Sequence, residues 1–168
     1  MLSHWLKRFW VVIKQRRTEI TIVDDKNFRV RKSVLKLIVF EFLSVSNKIF
    51  NRLSINFVES EKLFDLNKKF LNHNTDTDII TFSYTESEPF ETEIFISYKM
   101  AKINAQKFNI SIEDEILRLI IHGILHTIGF RDKTSKQKKI IREEENKILT
   151  KLKKKKFIEK MNLGSVSH

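Results

Sequence analysis

His122-Gly123-Ile124-Leu125-His126-Thr127-Ile128-Gly129-Phe130-Arg131-Asp132 is the stretch from which the rest of the chain can be read. Leu117, Leu119, Ile120 and Ile121 precede it, so the run from Ile116 to Ile128 is apolar almost throughout, the pattern of a helix buried on nearly all sides. Residues four apart share a helix face, so His122 and His126 can point at one place. Gly129 follows where a helix commonly ends, because glycine takes the left-handed backbone conformation without steric penalty. The chain can then fold back and bring Asp132 to the same point. Two imidazole nitrogens and a carboxylate oxygen, with a fourth position left to water, suit a single catalytic zinc ion. A lone histidine in an apolar helix is more commonly a hydrogen-bonded core residue. It is the pair, the glycine break and the acid beyond it that point to a metal. Asp132 has a second reading, as a cap of the helix that follows.

The neighbour of the first histidine narrows the chemistry. Zinc proteases of the His-Glu-x-x-His kind place a glutamate there as general base. This chain has Gly123, which neither takes nor gives a proton. The spacing of ligand, ligand, glycine and third ligand still matches the longer metzincin pattern. Peptide hydrolysis is thereby disfavoured. A phosphodiester fits better, since a metal can both generate hydroxide and neutralise phosphoryl charge.

Outward from this helix, alternation and helical periodicity lay out one domain. Residues 18–23 and 53–59 alternate as strands, and 79–84 and 93–97 read as two more, joined by an acidic stretch around Glu86, Glu88 and Pro89. Helices are expected over 33–47, over 60–71 with Ser60 as N-cap and Leu63, Leu66 and Phe70 inward, and over 99–108. The histidine helix opens at Ser111 with Asp114 in a capping box, and a last helix begins near Thr134. The loop 72–78 holds His73, Asp76 and Asp78, the two acids reading as turn or cap residues. The order β-α-β-α-β-β-α-α-α predicts an α/β (α+β) fold. A small mixed four-stranded sheet and about five helices surround the buried ligand helix in a metzincin-like arrangement.

The 168 residues, 41% hydrophobic and 32% charged, allow a single globular core. The absence of cysteine excludes disulfides and thiolate metal sites and fits a reducing, cytoplasmic setting. A formal charge of +11 favours a polyanionic partner, nucleic acid or an acidic membrane surface. No apolar run is long enough to span a bilayer, including Val11-Val12-Ile13. Residues 1–17 are therefore taken as a basic aromatic extension, 18–156 as the domain and 157–168 as a disordered tail. The lysine-rich run 151–156 reads as a solvated helix end or as a phosphate-tracking arm.

His122-Gly123-Ile124-Leu125-His126, followed by Gly129-Phe130, resembles the signature of the YbeY family of endoribonucleases and rRNA maturation factors. Leu66-Asn67, Thr77-Asp78-Ile79-Ile80-Thr81-Phe82-Ser83 and Glu93-Ile94-Phe95-Ile96-Ser97 agree with a second block, and the likeness covers roughly residues 18–150. The resemblance implies zinc held by His122, His126 and Asp132 and metal-dependent cleavage of single-stranded RNA. It also implies partners among ribosomal RNA, pre-ribosomal particles and ribosome-associated proteins, with no integral membrane association. Three positions depart from it. Asp132 stands where most members have a histidine, Leu71 where many have a functional arginine, and Thr92 where they have a glycine, a change tolerable at a strand edge. Arg118, one turn before His122, is the candidate to orient phosphate or a ligand carboxylate, with a salt bridge under the site, even to Asp132, as the plainer reading. His73 is a candidate general acid or base, although surface loop histidines are usually idle. The rival functions are a ribosome-assembly protein that binds RNA without cutting it and a metal hydrolase of peptides or small molecules. A purely structural metal is a further alternative.

Overall fold

The computed structural model describes residues 18–24, 28 and 30–154, so the basic extension at 1–17, the tail at 157–168 and the last lysines of the 151–156 run lie outside the described residues. Four strands form the sheet: β1 (Glu19–Asp24), β2 (Phe50–Val58), β3 (Ile79–Ser83) and β4 (Phe90–Ser97). Their spatial order is β1-β2-β4-β3. The β1–β2 and β2–β4 pairs are parallel, and β3 runs antiparallel to β4. Five helices accompany them: α1 (Lys32–Ser46), α2 (Ser60–Leu71), α3 (Tyr98–Phe108), α4 (Ile112–Thr127) and α5 (Ser135–Lys154). The expected element order and mixed four-stranded sheet are both present.

Strands β2 and β4 each begin three residues before the expected start. Phe50 pairs with Phe90 in register, their rings 5.3 Å apart, and a register shift between Phe50 and Arg52 leaves Asn51 and Arg52 both exposed. That irregularity breaks the period-2 pattern, which is why alternation alone started the strand at Leu53. The longer β4 corrects the reading of Thr92. It lies not at a strand edge but fully buried in an interior strand, its hydroxyl donating to the Phe82 carbonyl and 3.0 Å from the Thr127 hydroxyl.

Alternation sends the two sheet faces to different partners. Ile55, Phe57, Ile94 and Ile96 join the main core with Leu35, Ile38 and Leu43 of α1, the apolar residues of α4, and Ile141, Ile148 and Leu152 of α5. On the other face, Ile80, Phe82 and Phe95 pack with Leu63 and Leu66 of α2. In α2 the expectation is corrected twice. Glu59 occupies the N-cap position without a side-chain cap bond, while the Ser60 hydroxyl sits 2.9 Å from that of Ser97, which caps α3. Phe70 is 56% exposed, meeting only the edge of Phe82 among the aromatic rings, and the buried inner positions are Leu63 and Asn67.

Helix α4 lies against the sheet at Gly123. A Cβ there would stand 2.7 Å from Thr81 Oγ1 and 2.9 Å from Ile94 Cδ1. Ile94 is fully buried and Thr81 is short, so neither can swing away freely. Overpacking of this kind costs about 1–3 kcal/mol, against about 1 kcal/mol gained from helix propensity. Gly123→Ala is therefore expected to lower stability by up to about 2 kcal/mol, seen as a lower midpoint in urea unfolding at an unchanged slope.

Candidate metal centre and active site

Ser111 caps α4 by accepting a hydrogen bond from the Asp114 backbone N–H at 3.0 Å, the first half of the expected capping box. Glu113, Asp114 and Glu115 fill the first turn, where carboxylates complement the helix dipole. Beyond Glu115 the helix is buried at Ile116, Leu117, Leu119, Ile120, Ile121, Ile124 and Leu125. Arg118, His122 and His126 form a half-buried stripe at four-residue spacing. Core packing on every other side thus holds this stripe in place.

The helix ends as a Schellman turn. The Phe130 N–H donates to the Leu125 carbonyl (3.0 Å), the Gly129 N–H to that of His126 (3.1 Å), and Gly129 has φ +109°. Arg131 adds a cation at this C-terminus, donating to the carbonyls of His126 and Phe130. The fold-back returns the Phe130 carbonyl to within 3.1 Å of His126 Nδ1 and places Asp132 Oδ2 3.8 Å from His126 Nε2. Thr134 and Gln137 then start α5 with a reciprocal capping box, each backbone N–H donating to the other's side chain. The cap of α5 is therefore Thr134 and not Asp132.

The two imidazoles face each other with Nε2 atoms 2.9 Å apart and rings nearly perpendicular. Their other nitrogens are engaged, His122 Nδ1 with Glu145 Oε1 at 2.6 Å and His126 Nδ1 with the Phe130 carbonyl. A carbonyl oxygen only accepts, so Nδ1 of His126 carries the hydrogen and Nε2 presents its lone pair. A Glu145 oxygen accepting from Nδ1 gives His122 the same tautomer. Burial first, and then the neighbouring imidazole, lower the pKa of His126 against the opposing pull of Asp132, which favours the neutral ligand form. Two lone pairs this close need a cation between them, a proton or a metal. Ligand atoms about 2.0–2.1 Å from a tetrahedral zinc stand about 3.3–3.4 Å apart, and the observed 2.9 and 3.8 Å bracket that spacing. His122, His126 and Asp132 offer ligand atoms all within 4.8 Å of one another. The donor set fits zinc.

A cleft of about 200 Å³ opens on this cluster, walled by Arg118, His122, Asp132, Lys138, Arg142 and Glu145 over Ile141. Arg118 is on this side, as its spacing predicts, but its partners are not Asp132. Its guanidinium is gripped by both oxygens of Glu115 (2.7 and 2.8 Å), with Glu145 at 3.9 Å and Asp78 at 4.0 Å. The Glu115 hydrogen bonds are the largest influence raising its pKa. Asp78 also accepts from Asn104 at 2.8 Å. His73 lies on the exposed loop after α2 and does not line the cleft, and Leu71 is an exposed residue at the end of α2.

Sequence reasoning missed Glu145 and the pair Lys138 and Arg142. Glu145 is buried on α5, in phase with Ile141, Ile148 and Leu152. That phase was the available signal, since an acid on an apolar stripe is expensive unless partnered.

A family model described as Endoribonuclease YbeY matches residues 12–153. Relatives bearing that name include one from Azobacteroides pseudotrichonymphae, 35% identical over 132 residues, covering 79% of this chain and 95% of the relative. One from Christiangramia forsetii is 40% identical over 132 residues, 77% and 92% of the two chains. A third, from Karelsulcia muelleri, is 40% identical over 117 residues, 70% and 83% of the two chains. Among solved structures, a Thermotoga maritima protein determined in solution superposes with a TM-score of 0.58 at 26% identity, over 80% of this chain and 88% of that one. Sequence likeness along most of both chains and the shared fold lead to one conclusion: the chain belongs to the Endoribonuclease YbeY family.

Proposed function

We propose that this protein is a zinc-dependent endoribonuclease cutting single-stranded RNA. Its setting is the maturation of ribosomal RNA on pre-ribosomal particles in the cytoplasm. The endoribonuclease activity follows from family membership. The zinc assignment rests on one observation, the paired Nε2 atoms 2.9 Å apart with both Nδ1 atoms already engaged. His122, His126 and Asp132 would hold the ion, which when bound activates water and neutralises charge on the phosphoryl oxygens.

The chain's own residues do the rest. Glu145 and the Phe130 carbonyl fix the two ring orientations, and Arg118 holds Glu115, Glu145 and Asp78 together beneath them as a positioning residue. Gly123 turns into the sheet, so the position after His122 supplies no side-chain base, and the Glu145 carboxylate is engaged at Nδ1, on the far side of the ring from Nε2. Asp132, the most exposed of the three at 43%, is the proton acceptor we assign. His73 does not line the cleft and is given no part in the chemistry. The RNA substrate accords with the formal charge of +11, and no helix among the described residues is long and apolar enough to cross a membrane.

The test is cleavage of single-stranded RNA by the purified protein before and after chelation, with elemental analysis. Near-stoichiometric zinc is expected, with cleavage lost on chelation and restored by added zinc. Full cleavage by metal-stripped protein would overturn the assignment.

A further inference from the structure

We infer that Lys138 and Arg142, on the first half of α5, grip the phosphate backbone of the RNA strand lying in the cleft. The inference builds on the RNA-cleaving reading and assigns the substrate contacts within it.

Geometry comes first. Lys138, Arg142 and Glu145 follow one another at spacings of four and three, so they share a stripe of α5. The 2.6 Å contact between Glu145 and His122 turns that stripe toward the histidine pair. Both cations line the same cleft as His122 and Asp132. A strand whose reacting phosphate sits at the histidines would therefore have its neighbouring phosphates along this wall.

Charge comes second. Two of the cleft's side chains, Asp132 and Glu145, are acids that repel a polyanion. Arg118 cannot offset them, because its fork already serves Glu115 and its remaining neighbours are Glu145 and Asp78. Lys138 and Arg142 are exposed, and the ion pairs among the described residues include neither. They are the cations of this wall with donors to spare.

The helix itself supplies a third argument. Acids are favoured in a first turn, yet that of α5 has none, and no acidic residue occurs between Lys133 and Arg142. Lys136, Lys138 and Lys139 instead crowd the positive end of the dipole. This arrangement costs helix stability in the free protein and becomes favourable when an anion lies against it.

The test uses the full-length protein and a 2′-O-methylated single-stranded RNA oligonucleotide verified to stay intact over the measurement, with affinity measured across a salt series. Each lost phosphate contact on a single strand lowers the slope of log affinity against log salt by about 0.7. The Lys138→Ala/Arg142→Ala double variant should therefore lose about 1.4 from the slope, with affinity falling on the order of tenfold or more. In cleavage assays KM should rise while kcat stays within about twofold, the signature of lost uniform binding. Arg142→Lys should recover most of the slope. A matched double variant outside the cleft, Lys36→Ala/Lys62→Ala, removes the same net charge and should leave the slope intact. An unchanged slope in the cleft variant, or an equal loss in the matched control, overturns the inference even if cleavage proves metal-dependent. The expected slope loss in a protein that cuts no RNA would instead sustain these contacts and reject the catalytic reading.

Discussion

His126→Ala is expected to abolish metal retention and RNA cleavage together while leaving the fold standing. His126 lies on the last turn of α4, half-buried on the one stripe of that helix not packed into the core, so its removal opens no deep cavity. It also relieves the close approach of two lone-pair nitrogens. The stability of the metal-free protein should therefore change by about 1 kcal/mol or less. The effect on metal is of another size. Zinc in small protein sites is bound by about 10–16 kcal/mol, so one ligand among three protein groups and a water accounts for roughly 3–4 kcal/mol, or a hundred- to thousandfold in affinity. Elemental analysis, RNA cleavage and a melt of the chelated protein separate the two effects. Full metal-dependent cleavage by this variant would defeat the ligand assignment, and unfolding of the chelated variant would contradict the packing argument.

The features that sequence revealed and those it hid divide along a physical line. Helix α4 was legible because its burial is written in an unbroken apolar run with Ser111 before it and Gly129 after it, and each of these signals acts within a few residues. The convergence of His122 and His126 was legible for the same reason, as it needs only helical geometry. What lay hidden depended on other elements. Glu145 sits within Glu143-Glu144-Glu145, and only packing of α5 against α4 selects which of the three acids meets His122. Arg118 took Glu115, three residues back on its own helix, over Asp132, which lies beyond the Schellman turn and faces solvent more fully. Thr92 looked like an edge residue because the shift between Phe50 and Arg52 masked the first part of the β2–β4 pairing. Helix ends were legible as well: those expected at 47, 71 and 108 fall within a residue of the observed ones, although glycine is scarce. With Gly 3 in the whole chain, α1, α2 and α3 stop at Asn47, Asn72 and Asn109, all at positive φ, using the residue that tolerates this conformation next best after glycine.

Glu145→Ala is expected to weaken zinc binding by about 10–100-fold without touching a ligand. Glu145 fixes the tautomer and ring angle of His122 through Nδ1 and raises the basicity of the nitrogen on the opposite side of the ring. Alanine leaves that Nδ1–H without its acceptor in a buried setting and frees the ring to turn away from His126. Arg118 keeps Glu115 and Asp78, so the polar floor of the site survives, and the fold should lose no more than about 1–3 kcal/mol. Glu145→Gln separates orientation from charge, because its carbonyl oxygen can still accept from Nδ1 but brings no negative charge to the imidazole. Its zinc affinity should fall between those of the wild type and the alanine variant, with the ring orientation preserved. Competition with a zinc chelator gives the affinities, and urea unfolding of the metal-free proteins gives the stabilities. A merely structural carboxylate would lower unfolding stability in both variants and leave zinc affinity unchanged, and that outcome would remove Glu145 from the metal centre.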